Sequence, residues 1–326
     1  MIGAHSNYMW KIVQAITPGK SHIKNNMPCQ DRTFALEKNG VTTITLADGA
    51  GSASLSHIGA EVATFTLANY FCDNFEELFS EDIAGNVGEE IITIINDELY
   101  LKAKEIGCEI NDLASTLLGV AVKNHKYIVF HLGDGVIGYY QNNRINVASS
   151  PDNGEFANTT VFTTSNKAQH YIRLLKGNLT NIEGFILFSD GPEKIFFNHQ
   201  QKIISSSLNN LFEDLKDKPL SVVEKDLVET LEELKKATYD DCSIIAMVKI
   251  PNMNGISETV DYKCHSSEDL ESNKKSLEKD NQSEKKIHVV REIDKNGYIK
   301  ESNFFQWPAF LIFAFLIVII VLFIVL

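Results

Sequence analysis

Three apolar, strand-like runs of this chain stop on the same dipeptide. VTTITLA runs into Asp48-Gly49, YIVFHLG into Asp134-Gly135 and FILFS into Asp190-Gly191. At a fourth place the order reverses, and Asp240-Asp241 precedes the apolar run CSIIAMV. Taken singly, an Asp-Gly after a strand is a turn, because both residues tolerate positive φ. Taken together, the four ask for a fold in which several strands bring their ends to one edge. Carboxylates gathered there repel one another and take up protons unless a cation sits among them. Sites made of such hard oxygen donors suit Mg²⁺ or Mn²⁺. Two such ions can activate a water and neutralise a phosphoryl oxygen, which is the help that phosphate monoester hydrolysis needs.

The patterning between these points is mixed. Strands are expected at 9–15, 41–47, 116–122, 127–132, 136–140, 185–188 and 242–250, and helices at 57–79, 89–106 and 220–237. Apolar residues Ile58, Val62, Phe65, Ala68 and Cys72 recur near the helical period. TLLGVAVKNHKYIVFHLGDGVIGYY has short turns at Lys-Asn-His and Asp-Gly and forms a three-strand meander. Strands in hairpin-like clusters with helices in pairs predict an antiparallel α+β fold over a doubly wound sheet. Residues 1–250 form one domain. Residues 251–303, rich in Ser, Asn, Lys, Glu and Asp, form a polar, disordered tether.

From Ala309 to Leu326 every residue is apolar, and Trp307 stands just before the run. Eighteen helical residues span about 27 Å, close to the hydrocarbon thickness of a bilayer. A helix apolar on every face has no side to turn to water, so residues 304–326 are expected to be a C-terminal transmembrane anchor. Only the terminal carboxylate would cross, so the folded domain is expected on the cytoplasmic side, and the basic residues Lys285, Lys286, Arg291, Lys295 and Lys300, mixed with acids, agree weakly with that. No charged segment followed by an apolar core opens the chain, so no signal peptide is expected. The net charge of -13 and the absence of a basic stripe argue against nucleic acid. Five cysteines without a CxxC pair make a zinc site improbable and read as reduced thiols. Neither a GxGxxG loop nor a Walker motif supports an ATP-using kinase.

In chain order the motifs resemble those of the metal-dependent serine/threonine protein phosphatases, the PPM or type 2C family. SHIKNNMPCQDR is similar to the opening motif, here with Gln30-Asp31, and LADGAGS to the Asp-Gly motif that follows it. ASTLLGVAV, HLGDGVIGYY, LFSDGPEKI and DDCSIIAMV resemble the next four, so the likeness runs from about Ser21 to Val248. The resemblance implies a four-layer α-β-β-α sandwich of two antiparallel sheets flanked by helices. It implies two bound Mn²⁺ or Mg²⁺ ions, with Asp48 bridging both and Gly49 offering its carbonyl. Asp190 and Asp240 would bind the second ion, Asp134 would help hold a weaker third, and Asp31 would orient the attacking water. Asp134 and Asp241 have a plain turn or strand-end role as their alternative.

Two residues depart from the family pattern. Gln30 stands where Glu is usual, and Ala50 where the family has the His proposed as general acid, a group worth roughly 10²–10⁴-fold. His22 is the candidate replacement, as acid or phosphate contact; a solvated or capping loop histidine is the alternative. In place of a phosphate-binding arginine the sequence offers Lys20 and Lys24, which lack its fork. The expected function is a membrane-tethered phosphatase acting on phosphoserine and phosphothreonine, with a membrane-proximal kinase or that kinase's substrate as partner. The competing readings are a catalytically weak module that binds metal or phosphoprotein and acts by recruitment, and a membrane scaffold whose acidic turns are structural only.

Overall fold

In the computed structural model, residues 8–80, 86–151 and 160–252 are described. The expected tether beyond Asn252 and the anchor at 304–326 lie outside them. Among the described residues no helix is long and apolar enough to cross a membrane.

The chain opens with β1 (Tyr8–Thr17), a short α1 (Lys20–Asn25), β2 (Arg32–Lys38) and β3 (Val41–Ala47). Two long helices follow, α2 (Ser56–Ser80) and α3 (Asn86–Ile106). Next come β4 (Leu117–Lys123), β5 (Lys126–Leu132), β6 (Val136–Gln141), β7 (Arg144–Ser149), β8 (Arg173–Asn178) and β9 (Ile182–Phe188). The last part holds α4 (Asp190–Phe196), a two-residue hairpin of β10 (Phe197–Asn198) and β11 (Ile203–Ile204), α5 (Asn209–Asp217), α6 (Leu220–Leu234) and β12 (Cys242–Pro251). Two five-stranded sheets result, in the orders β1-β12-β9-β6-β7 and β2-β3-β4-β5-β8. Every pairing within them is antiparallel.

The strand sequences explain the layering. In β3, Val41 and Ala47 face the α2–α3 side while Ile44 and Leu46 face the other sheet. In β12, Cys242, Ile244, Ala246 and Val248 face the α4–α6 side while Ile245 and Met247 join the inter-sheet core. Both faces of the central strands are covered, so these strands read as nearly unbroken apolar or threonine runs rather than alternating ones. Three apolar layers therefore separate four structural ones: helices, sheet, sheet, helices. The α2 helix buries Gly59, Ala63, Leu67, Phe71, Phe75 and Leu78, at intervals of three and four residues. Gly119 of β4 makes room for that face, since a Cβ there would lie 2.6 Å from Leu67 Cδ2.

The expected antiparallel α+β sandwich is present. The expected strands all form, with ends shifted by up to three residues, and the three expected helices form too. Not foreseen are β2, β7, β8, the small hairpin and the helices α1, α4 and α5.

Candidate active site

Strand register brings the acidic ends together. Arg32, at the start of β2, pairs with Ala47, at the end of β3, so Asp31 and Asp48 leave the same edge of one sheet. In the other sheet Phe188, at the end of β9, pairs with Ile244 and with Val136, so Asp190, the Asp240-Asp241 pair and Asp134 share an edge. The two edges meet. Asp48 feels the charges of Asp31, Asp190, Asp134 and Asp240. The acidic strand ends are one site.

Local hydrogen bonds set each residue. The N–H of Asp48 donates to Thr116 Oγ1 at 2.9 Å, and its carbonyl accepts the Thr116 N–H at 2.8 Å. Gly49 pairs with Ser115, and a Cβ on it would lie 2.7 Å from Ser56 Oγ and 2.9 Å from Gln30 Cβ. Ser189, just before Asp190, accepts the Ser243 N–H on its Oγ at 3.1 Å, which ties the end of β9 to the start of β12. Asp134 accepts a hydrogen bond from Thr160 Oγ1 at 2.6 Å.

The two carboxylates of the Asp240-Asp241 pair do different work. Asp241 is buried and fully engaged: it accepts the Gly19 N–H at 2.7 Å, the Gln30 N–H at 2.6 Å and His22 Nδ1 at 2.8 Å. It pins the α1 segment and the start of β2 to β12. Asp240 keeps its side chain half exposed and points Oδ2 at Lys194 Nζ, 3.2 Å away. Of the pair, Asp240 is thus the one with oxygen to offer a metal.

Electrostatically the site is overloaded with negative charge. Burial, and then Asp241, push the Asp31 carboxyl up to about 8, with nearby Ser243 and Ser189 tempering the rise. Both of its oxygens are buried and lack a hydrogen-bond partner. Burial, and then Asp31, hold Asp48 well above the usual carboxylate range. Burial and Asp240 raise Asp190, opposed by Lys194. Its Oδ1 is likewise buried and unpartnered. Orphaned carboxylate oxygens of this kind, with two glycines admitting backbone close by, fit a divalent cation in chemistry. As the side chains stand, no three His, Cys, Asp or Glu among the described residues enclose a metal position. The place between Asp190 and Asp240 is spanned by Lys194 instead, with Nζ 2.9 Å from Asp190 Oδ2.

Several residues behave differently from the sequence expectation. Gln30 donates from Nε2 to the Ala53 carbonyl at 3.3 Å, a bond that a glutamate could not make, so it serves the loop after Asp48. Ala50 is buried in a small cluster with Ala53 and Ala114, and its N–H donates to the Ala114 carbonyl at 2.9 Å. Lys20 is exposed and is directed to the Lys236 carbonyl and over the Tyr239 ring. Lys24 is exposed. His22 is neither solvated nor a cap: it is buried and held by Asp241. That hydrogen bond raises its pKa, against the lowering effect of burial. Sequence reasoning missed Lys194, although it stands four residues after Asp190, the spacing of a helical ion pair. It also missed Glu193, buried against His199 and pushed up to about 7 by burial and by Asp190.

The family model for Protein phosphatase 2C matches residues 18–232. The chain belongs to this phosphatase family. Among curated proteins, the chain is similar to Serine/threonine-protein phosphatase 3 of Escherichia coli (strain K12), at 26% identity over 196 residues, covering 58% of this chain and 76% of that protein. The fold of this phosphatase 2C chain matches that of a bacterial serine phosphatase at a TM-score of 0.52 and 16% identity, covering 74% of this chain and 98% of that one. It also matches the serine/threonine phosphatase Stp1 from Staphylococcus aureus at a TM-score of 0.51 and 17% identity, covering 76% and 99%. These structures share the two-sheet sandwich. Together with the curated relative, the family match marks the chain as a protein serine/threonine phosphatase.

Proposed function

We propose that this chain is a divalent-metal-dependent phosphatase, tethered to a membrane by residues 304–326, that hydrolyses phosphoserine and phosphothreonine in proteins. The observation that carries the metal dependence is the gathering of the buried Asp31 with the partly buried Asp48 and Asp190, with orphaned oxygens on Asp31 and Asp190. Left alone, that charge would be expelled as bound protons. Asp48, the Gly49 carbonyl, Asp190 and Asp240 would hold two Mn²⁺ or Mg²⁺ ions, and Asp134 a weaker third. When bound, such ions polarise the phosphoryl group and acidify water.

The chain's own groups handle the protons. Asp31 leaves the same sheet edge as Asp48 and would orient the attacking water. Asp241 accepts two backbone N–H groups and therefore acts as the acceptor towards His22 as well. His22 thus carries a proton on Nδ1, and its Nε2 is the atom that can meet the substrate as acid or phosphate contact. In this reading His22 would supply the function of the family histidine, whose place Ala50 takes. The membrane tether rests on the unbroken apolar run from Ala309 to Leu326. Tethering concentrates the domain near membrane-bound phosphoproteins and makes a membrane-proximal kinase, or its substrate, the natural partner.

The test is phosphate release from a phosphothreonine peptide by the detergent-solubilised chain with Mn²⁺, with Mg²⁺ and with chelator, beside Asp190→Asn and His22→Ala. We expect metal-dependent release, lost by at least about 10²-fold in Asp190→Asn and reduced in His22→Ala. Equal rates in wild type and Asp190→Asn would sink the site assignment. The buried methyl of Ala50 favours the recruitment reading, which predicts no release while Mn²⁺ still raises the melting temperature.

A further inference from the structure

Lys194 stands where a cation is needed. It follows Asp190 by one helical turn in α4, and its Nζ lies 2.9 Å from Asp190 Oδ2 and 3.2 Å from Asp240 Oδ2. These are the two carboxylates that the proposed function assigns to the second ion. The lysine is not trapped: half of its side chain is exposed, as is 47% of that of Asp240. On its four-carbon stem the ammonium can swing into water without disturbing α4.

We propose that Lys194 is a tethered counter-ion that competes with the divalent metal for Asp190 and Asp240. In the absence of metal it neutralises part of the charge that burial would otherwise expel. For a second ion to bind, the ammonium must leave. A site that is open for only a fraction of the time binds its ligand more weakly by that fraction. An ammonium shared between two partly exposed carboxylates closes the site most of the time, and the penalty is about three- to ten-fold in apparent affinity. The other oxygens are untouched, because Asp48 and Asp31 make no contact with the lysine. Lys194 therefore lowers the apparent affinity of the ion at Asp190 and Asp240 and leaves the other ion untouched. Enzymatic turnover becomes graded by free Mn²⁺ or Mg²⁺ rather than saturated by trace amounts. This inference rests on the assignment of Asp190 and Asp240 as metal ligands.

The test is titration of the detergent-solubilised full chain with MnCl₂ by isothermal calorimetry, for wild type, Lys194→Met, Lys194→Arg and Asp190→Asn. Melting temperatures are taken in chelator and in saturating Mn²⁺ and serve as the check on folding. Lys194→Met should bind the Mn²⁺ that Asp190→Asn loses about three- to ten-fold more tightly, leave the other one unchanged and lower the melting temperature in chelator only. Lys194→Arg, which keeps the charge, should stay within about twofold of wild type. Unchanged or weakened affinity in Lys194→Met, with one Mn²⁺ still abolished by Asp190→Asn, would overturn the proposal and leave the metal reading standing. Mn²⁺ binding indifferent to Asp190→Asn would overturn both.

Discussion

At the scale of the residue, the site is a problem in charge. Burial, then Asp241, raises Asp31 to about 8, above its unfolded value of ~3.9. A group raised on folding contributes stability that is complete below its unfolded pKa and is lost as pH rises through the folded one. In chelator, the melting temperature of wild type should therefore fall relative to Asp31→Asn as pH rises from about 4 to 8. Each pKa unit is worth at most ~1.4 kcal/mol. A constant gap between the two proteins over that range would show that Asp31 is not the buried, proton-holding carboxyl described. The residues of this site differ in how far the sequence announced them. Asp48, Asp190 and Asp134 are marked by the Asp-Gly that follows each strand, because the glycine is needed where neighbouring atoms crowd the edge. Asp241 could not be read as the anchor of His22 and Gln30, since its partners lie more than 200 residues away in the chain. The role of Gln30 was hidden for the same reason: its Ala53 acceptor belongs to another loop.

At the scale of the element, α4 matters most. It carries Asp190 at its first position and Lys194 one turn on, and Pro192 sits in the first turn, where no N–H bond is lost. Seven residues are too few to show a period, so the helix escaped notice; β8, RLLKGN, escaped because its polar residues blur the alternation of an edge strand. Close approach fixes α4 in place. A Cβ on Gly191 would lie 2.0 Å from the Asp241 carbonyl and 3.0 Å from Cys242 Sγ. Gly191→Ala must push the start of α4 off β12 and part Asp190 from Asp240. We expect it to cost about 1–3 kcal/mol by urea denaturation and to weaken Mn²⁺ binding. Gly51→Ala, where nothing lies within 4 Å, is the control and should change little. Equal effects at the two positions would contradict the packing described.

At the scale of the whole molecule, three apolar layers hold four structural ones, and most of that was legible. Buried central strands read as long runs of Val, Ile, Leu and Thr, and the long helices as apolar residues at three- and four-residue intervals. The order of strands within the sheets was not legible, because a strand's sequence records that both its faces are covered and not by which neighbour. The proposed membrane tether is tested at this scale too. Deleting residues 304–326 should move the protein from the membrane pellet to the soluble fraction after cell lysis, with peptide phosphatase activity per molecule unchanged. Retention in the pellet would refute the tether.

The place of β12 in its sheet has one more consequence. It lies between β1, the first strand of the fold, and β9, and it brings Asp240 and Asp241 with it. A ribosome delivers Asp31, Asp48 and Asp190 long before it delivers the strand that locks them together. Until then β1 lacks its strand partner, His22 lacks its carboxylate and the proposed second ion would lack one of its ligands, Asp240. Pairing across so long a stretch of chain is also slow to nucleate. At the proposed site, competence for hydrolysis therefore waits until the chain has been made as far as β12 and that strand has paired between its neighbours.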